Sequence, residues 1–435
     1  MRRRQFLSAS AAAAATVAVG SRAADAATPP TVASAGRPGV VRTGFAVLAA
    51  GRYRPLAGRK VGIIANPTSI TTDLQHEVDV MHGSSDVDLI AVFGPEHGFR
   101  GTAQAGGSQG FYTDEKTGLP VYDLYAKTVD EMADAFTKAG VDTVLFDIQD
   151  VSARFYTYIW TMYSAMKAAA TLGTRFVVLD RPNPLGGARA TGPVLHPHWS
   201  TGVGLEPIAQ QHAMTVGELA GLFAAEFIPA ETGGSRVDLT VVAMQGWRRG
   251  MDYDATGLPW VMPSPNMPTV DTAFVYPGLG MFEGTNLSEG RGTTRPFELI
   301  GAPYADYHWA EALTVARLPG VEWREAYFAP TFSKFVNETC AGVQAFVTDR
   351  TAFDAIRTAA AMIVTAKRLY PADFAWRYDT GDALDPYWID KLSGSDYLRT
   401  AIDAGKDTDA VVAGWQGELR AFSAMRQKYL IYGGH

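Results

Sequence analysis

The chain of 435 residues carries a formal charge of −7, with 47% hydrophobic residues, 19% charged residues and one cysteine. An acidic balance excludes nucleic acid as a natural partner, because phosphate binding needs a basic face; the lone Cys340 excludes an intrachain disulfide and any multi-cysteine zinc site. The apolar fraction supports a large core and excludes global disorder, and the length suggests two or three domains.

The first predicted element is a targeting segment. Arg2-Arg3-Arg4 precedes a mild, Ala-rich apolar stretch over 6–20, too short to span a bilayer, and Ala24-Asp25-Ala26 has the small-x-small form of a cleavage site. The pattern resembles a twin-arginine export signal, which implies a periplasmic, wall-associated or extracellular address. Residues 1–26 hold four arginines against Asp25, so cleavage would leave 409 residues and take the charge from −7 to −10. Residues 27–41 read as a flexible linker. No second long apolar segment follows, so no stable membrane insertion is expected.

A strand is predicted over 59–65, ending at Asn66, and another over 87–93. The second runs into Gly94-Pro95-Glu96-His97-Gly98-Phe99-Arg100-Gly101, where a carboxylate, an imidazole and a guanidinium fall within five residues on an irregular backbone. Residues 128–139 fit a helix with Thr128 and Glu131 as a capping box and Gly140 as its stop. A strand over 141–146 ends in Asp147-Ile148-Gln149-Asp150, a helix follows over 157–172, and a strand over 174–179 ends in Asp180-Arg181-Pro182-Asn183. A helix over 215–227 and a strand over 236–243 complete the alternation. Near-continuous apolar strands alternating with helices predict an α/β fold, a Rossmann-like parallel sheet covered on both faces, over 42–270. Four strand ends carry polar residues (Asn66, Glu96, Asp147 with Asp150, and Asp180), and ligands bind outside the carboxyl ends of such strands.

From Pro259 the texture changes. Residues 263–269 are PSPNMPT, with Asn266, and residues 277–301 are Gly- and Thr-rich, with Glu283, Asn286, Glu289, Arg291 and Arg295. A stretch this long without periodicity reads as a binding segment at a domain junction. Beyond it come a helix (304–317), aromatic strands (323–348), a helix (351–369), a loop rich in Asp and Tyr, and a final helix (407–429). These predict a smaller α+β auxiliary domain over 271–435 that closes the cleft. Gly278-x-Gly280 lacks dinucleotide spacing, no phosphate loop or Gly-x-Ser-x-Gly elbow is present, and His196-x-His198 reads as a surface loop. Neither cofactor nor metal is expected.

FGPEHGFRG (93–101), DIQDVSARFYTYIWTM (147–162), DRPNPLGG (180–187), PSPNMPT (263–269) and EGTNLSEGRGTTRPFE (283–298) occur in one order that resembles a known family. From about residue 42 onward the chain resembles the bacterial exo-β-N-acetylmuramidases, which are glycoside hydrolases. The resemblance implies release of terminal N-acetylmuramic acid from non-reducing ends of peptidoglycan fragments, with the site between a Rossmann-like domain and an auxiliary one. It makes Glu96 the catalytic glutamate. Two departures stand out: Ser152 where the family has glycine, and Gln210-Gln211-His212-Ala213 where it tends to have Ile-Arg-His-Gly.

Glycoside hydrolysis takes an acid on the leaving oxygen and a second group for the oxocarbenium-like state. Glu96 is the candidate acid, with His97 as orienting donor. Asp147 and Asp150 are candidates for the second group, with Glu283, Glu289 and the substrate's own acetamido group as alternatives. Arg100, Arg154, Arg181, Arg291 and Arg295 are available for the lactyl carboxylate, which bidentate arginine suits. Tyr156 is a stacking candidate, and Asn66, Asp180, Asn183, Asn266 and Asn286 are polar contacts. Two other readings stand: a non-catalytic cell-wall sugar-binding protein, and a metal-dependent hydrolase using Glu96, His97 and an Asp.

Overall fold

The computed structural model describes residues 40–382 and 385–433. The expected export signal and all but the last two linker residues lie outside them. Val41 is already core, buried with Met244 and Trp247.

The first half holds β1 (Lys60–Ala65), β2 (Asp88–Gly94), β3 (Tyr112–Thr113), β4 (Pro120–Asp123), β5 (Thr143–Asp147) and β6 (Arg175–Leu179). It continues with β7 (Thr191–Val194), β8 (Ala209–Gln211) and β9 (Asp238–Val242). Seven of these form one sheet in the order β3-β4-β2-β1-β5-β6-β9, parallel throughout except for the β3/β4 edge pair. Numbered in chain order, the parallel strands run 3-2-1-4-5-6, the doubly wound arrangement, and the order reverses between β1 and β5. Both faces are covered, as the continuous apolar runs predict. Val61, Ile63 and Ala65 of β1 point into one cluster with Leu145 and Val177, while Ile64 points into the other with Phe93, Phe146 and Phe176.

The helix Val129–Ala139 has the predicted capping box, and Gly140 takes φ 72° at its end, where a Cβ would be strained. The helix predicted over 215–227 starts as expected from the Thr215–Glu218 capping box, then widens by one residue per turn over Phe223–Phe227.

The structure differs from expectation between 270 and 301. Val270–Leu279 is a helix despite Pro277 and Gly278. Its face packs on the helix Ala355–Leu369, and a Cβ on Gly278 would overlap the Ala355 carbonyl. Close packing thus overrides the local breakers. The chain's second half then forms a three-stranded antiparallel sheet, with β12 (Cys340–Val347) between β10 (Leu299–Ala302) and β11 (Val321–Phe328). The Asp- and Tyr-rich loop contains two short helices, Trp388–Ser393 and Tyr397–Asp403. The expected final helix is two, Thr408–Ala413 and Gln416–Arg426. They part at Gly414, where a side chain would strike Tyr397.

The C-terminal segment returns to the large sheet. Arg426 donates to the carbonyls of Gly187 and Ala213, and the Tyr432 hydroxyl donates to Asp180 at 2.5 Å. Among the described residues no helix is long and apolar enough to cross a membrane.

Candidate active site

Strands β2, β1, β5 and β6 are consecutive in the sheet, so the polar residues after their carboxyl ends share one edge. The Glu96 loop is held by its own backbone. His97 takes φ 69° and Gly98 φ 78°, the His97 N–H donates to Gly107 O at 2.9 Å, and His97 Nδ1 lies 3.0 Å from Ala103 O. A non-glycine residue in the left-handed region is strained, and such strain gathers at sites where the surroundings dictate the geometry. His97 is buried and serves the loop.

That loop presents Glu96, half-buried, with both oxygens anchored. The Gly106 N–H donates to Oε1 at 2.8 Å, and the Thr157 hydroxyl lies 2.6 Å from Oε2. Tyrosines surround it. Burial, with a further push from the Glu96 charge, raises the phenols of Tyr125, Tyr156, Tyr158 and Tyr276 above their usual range. Tyr156 meets Tyr158 and Tyr276 edge to face at 5.2 and 5.7 Å, and Tyr158 donates to Pro263 O. The Glu96, Asp150–Tyr158 and Pro263–Asn266 motifs therefore meet in one place.

Asp150 lies here too, buried. Its Oδ2 accepts from Ser152 N at 2.7 Å and is 3.1 Å from His212 Nε2. His212 Nδ1 accepts from Met214 N at 3.2 Å, which leaves Nε2 as the ring's donor nitrogen, near Asp150 but in no hydrogen bond with it among the described residues. Asp150 Oδ1, Asn66 Nδ2, Gln149 Oε1, the Tyr156 hydroxyl and Asn266 Nδ2 are buried without a protein partner among the described residues. Buried polar atoms are normally paired, so these atoms, those of Asn66, Gln149 and Asp150 on the loops after β1 and β5 that flank the sheet's switch point among them, are candidate contacts for a polar ligand. Sequence reasoning had placed Asn66, Glu96, Asp150, Tyr156 and Asn266 among its candidates, and all five fall in this region. It passed over Gln149, between two acids of one motif, and Thr157 and Tyr276, which read as helix and loop residues.

Several expected site residues are engaged elsewhere. Asp147, fully buried, pairs with Arg181, which also meets Glu77 at 2.8 Å. Burial opposes the Arg181 charge, but Asp147 and Glu77 hold it; burial and Asp147 raise Glu77 well above the usual carboxyl range. The triad is an internal brace built on Arg181. Asp180 accepts from Gly217 N and the Thr215 hydroxyl, both at 2.8 Å, and from Tyr432, so it ties a helix start to the C-terminus; burial pushes its carboxyl up to about 7. Arg154 is fully buried and donates to the carbonyls of Pro193, Ile208 and Leu392, and burial lowers it to about 9. Asn183 bonds Ser152, Met214 and Leu185. Arg100 pairs with Asp79 and Asp114, Arg295 with Glu298, and Asn286 bonds Asp373, Ala375 and Tyr304.

Glu283, Glu289 and Arg291 form a neighbouring group. Arg291 meets Glu283 at 2.6 Å and lies over the Phe297 ring, which packs edge to face on Tyr276 at 4.7 Å. Tyr276 feels the charges of both Glu283 and Glu96. Glu289 pairs with Lys334 at 2.9 Å. Glu283, Glu289, Arg291 and Lys334 line an open hollow of about 650 Å³.

Both departures from glycine fall on left-handed backbone: Ser152 has φ 65° and Ala213 φ 52°. The Ser152 hydroxyl compensates, accepting from Asn183 Nδ2 at 2.9 Å and from Ala213 N at 3.2 Å. Ser152→Ala keeps the strain and orphans a buried N–H, a loss of about 1–3 kcal/mol. Ser152→Gly orphans the same donor but removes strain worth roughly 1–2 kcal/mol. Chemical denaturation is expected to rank Gly above Ala here, the reverse of the usual order.

A tyrosine-ringed carboxyl and a buried aspartate, on loops at the carboxyl edge of a doubly wound sheet, make a candidate active site on an α/β scaffold. Models of the exo-β-N-acetylmuramidase NamZ N-terminal and C-terminal domains match residues 61–271 and 274–432. A peptidoglycan β-N-acetylmuramidase NamZ from Bacillus subtilis (strain 168) is 49% identical over 393 residues, 90% of this chain and 91% of the relative. Two crystal structures of DUF1343 family proteins from Bacteroides fragilis NCTC 9343 share the fold. One has TM-score 0.81 and 33% identity, over 91% of this chain and 100% of the other; the second has 0.70 and 29%, over 91% and 99%. The chain belongs to the NamZ exo-β-N-acetylmuramidase family.

Proposed function

We propose that this protein is an exo-acting glycosidase that releases N-acetylmuramic acid from non-reducing ends of peptidoglycan fragments, with Glu96 as general acid. The observation that carries the reading is the anchoring of Glu96. An N–H can only donate, so Gly106 holds Oε1 as an unprotonated acceptor. The Thr157 hydroxyl donates to Oε2 of the carboxylate and can turn to accept from it, so Oε2 is the oxygen able to take up and hand on a proton. Oε2 delivers it to the bridging oxygen as the C–O bond breaks, and water completes the hydrolysis at the anomeric carbon. Asp150, oriented by Ser152 and close to His212, is the second acidic group; its free Oδ1 accepts the substrate's acetamido N–H or faces the developing positive charge. The metal-dependent reading lacks this support: no cluster of three or more His, Cys, Asp or Glu suited to a metal occurs among the described residues. The export signal read over 1–26 would place the reaction outside the cytoplasm.

The direct test is incubation with a disaccharide of N-acetylmuramic acid linked to N-acetylglucosamine. Free N-acetylmuramic acid is the expected product; binding without release would hand the cleft to the sugar-binding reading. Tyr156→Phe removes only a hydroxyl that has no protein partner among the described residues, so its thermal midpoint is expected to hold. Losing one substrate hydrogen bond lowers kcat/KM by about tenfold.

A further inference from the structure

The arginines expected to read the substrate's carboxylate are committed: Arg100, Arg181, Arg291 and Arg295 to carboxylates, Arg154 to carbonyls. The hollow beside the tyrosine cluster offers another. Its lining holds Arg291, Lys334 and Arg377 against Glu283 and Glu289, a local balance of +1 in a chain whose formal charge is −7. Arg291 and Lys334 are neutralised by the two glutamates. Arg377 is exposed, and among the described residues its guanidinium makes no hydrogen bond or ion pair. It lies over the Trp388 ring, 4.8 Å from the centroid.

The backbone of the same hollow is independently unusual. Ser333 and Phe335, both lining residues, have φ 72° and 56°, and Asn337 just beyond has φ 62°. The segment is pinned by Lys334, which donates to the carbonyls of Phe282 and Leu287 and to Glu289. Strain held in place by surrounding bonds marks a functional wall. The connection to the reacting end runs through packed rings, from Tyr276 to Phe297 to Arg291.

We infer that this hollow is the carboxylate subsite of the proposed reaction and that Arg377 is the residue that selects a muramic over a glucosaminic sugar. The inference rests on the exo-muramidase reading and adds the group that recognises the lactyl arm.

The test compares the 4-nitrophenyl β-glycoside of N-acetylmuramic acid with its lactyl methyl ester, which has the same shape without the charge. The intact enzyme is expected to prefer the acid by about 10- to 100-fold in kcat/KM, chiefly through KM, as befits a charge-assisted bond. In Arg377→Ala the preference collapses to within about threefold, and Arg377→Lys restores part of it, since a point charge replaces a fork. An exposed side chain is replaced, so both variants fold. Equal use of acid and ester by the intact enzyme, or a preference that survives Arg377→Ala, overturns the subsite. A drop in thermal midpoint with the preference intact also overturns it, by assigning Arg377 to the Trp388 contact alone. Failure of the intact enzyme to hydrolyse either glycoside removes the exo-muramidase reading itself.

Discussion

Glu96→Gln is expected to lower turnover of the natural disaccharide by about 10⁴-fold, and of the 4-nitrophenyl glycoside by about 10²-fold, the range general acid catalysis spans. The asymmetry follows from the leaving groups. Nitrophenolate departs with little protonic help, whereas a sugar hydroxyl needs its oxygen protonated as the bond breaks. Glutamine keeps the shape of the side chain. Its carbonyl oxygen still accepts from Gly106 N–H and its amide reaches the Thr157 hydroxyl, so circular dichroism and thermal midpoint should match the parent. Near-normal activity on both substrates would remove Glu96 from the mechanism. Equal losses on both would keep Glu96 catalytic but end its role as acid, because a nucleophile or a purely electrostatic group is indifferent to leaving-group basicity in this way.

The position of Glu96 was readable from sequence for a local reason. An apolar strand followed by Gly, Pro and Gly can only be a strand end breaking into a loop, and both features are encoded within ten residues. The Thr128 capping box and the Gly140 stop are local in the same sense, and the structure keeps both. The fate of the other acidic strand ends was not local. Asp147 and Asp180 follow their strands just as Glu96 does, yet one is braced by Arg181 and the other by Tyr432, 252 positions away. Nothing in the strand itself announces such a partner. The helix Val270–Leu279 was hidden for a related reason. Its Pro277 and Gly278 are breakers by propensity, and only the packing against Ala355 shows why a residue without a side chain is needed. The two departures from family glycine were visible as substitutions, but their meaning required the positive φ at Ser152 and Ala213.

Arg181→Met is expected to be the most destabilising of the site-adjacent changes and to leave the chemistry in place. Asp147 and Glu77 are fully buried and share this one cation. Removing it leaves two carboxyls facing each other without compensation, a loss of about 3–5 kcal/mol in urea denaturation. The pH dependence gives the sign. Glu77 already binds its proton more tightly folded than unfolded, through burial and Asp147, with Arg181 pulling the other way. Without Arg181 that affinity rises further. From the unfolded carboxyl value of about 4.5 up to the raised folded value, the native state holds a proton the unfolded chain has lost, so stability falls as pH rises through that window. The gap between variant and parent should therefore be smallest in acid and widen towards neutral pH. Asp147→Asn separates bracing from catalysis: it should also lower stability, while kcat per folded molecule stays within a few-fold of the parent. A hundredfold fall in kcat with unchanged stability would return Asp147 to the reacting centre, and with it the question of which aspartate, 147 or 150, the substrate meets.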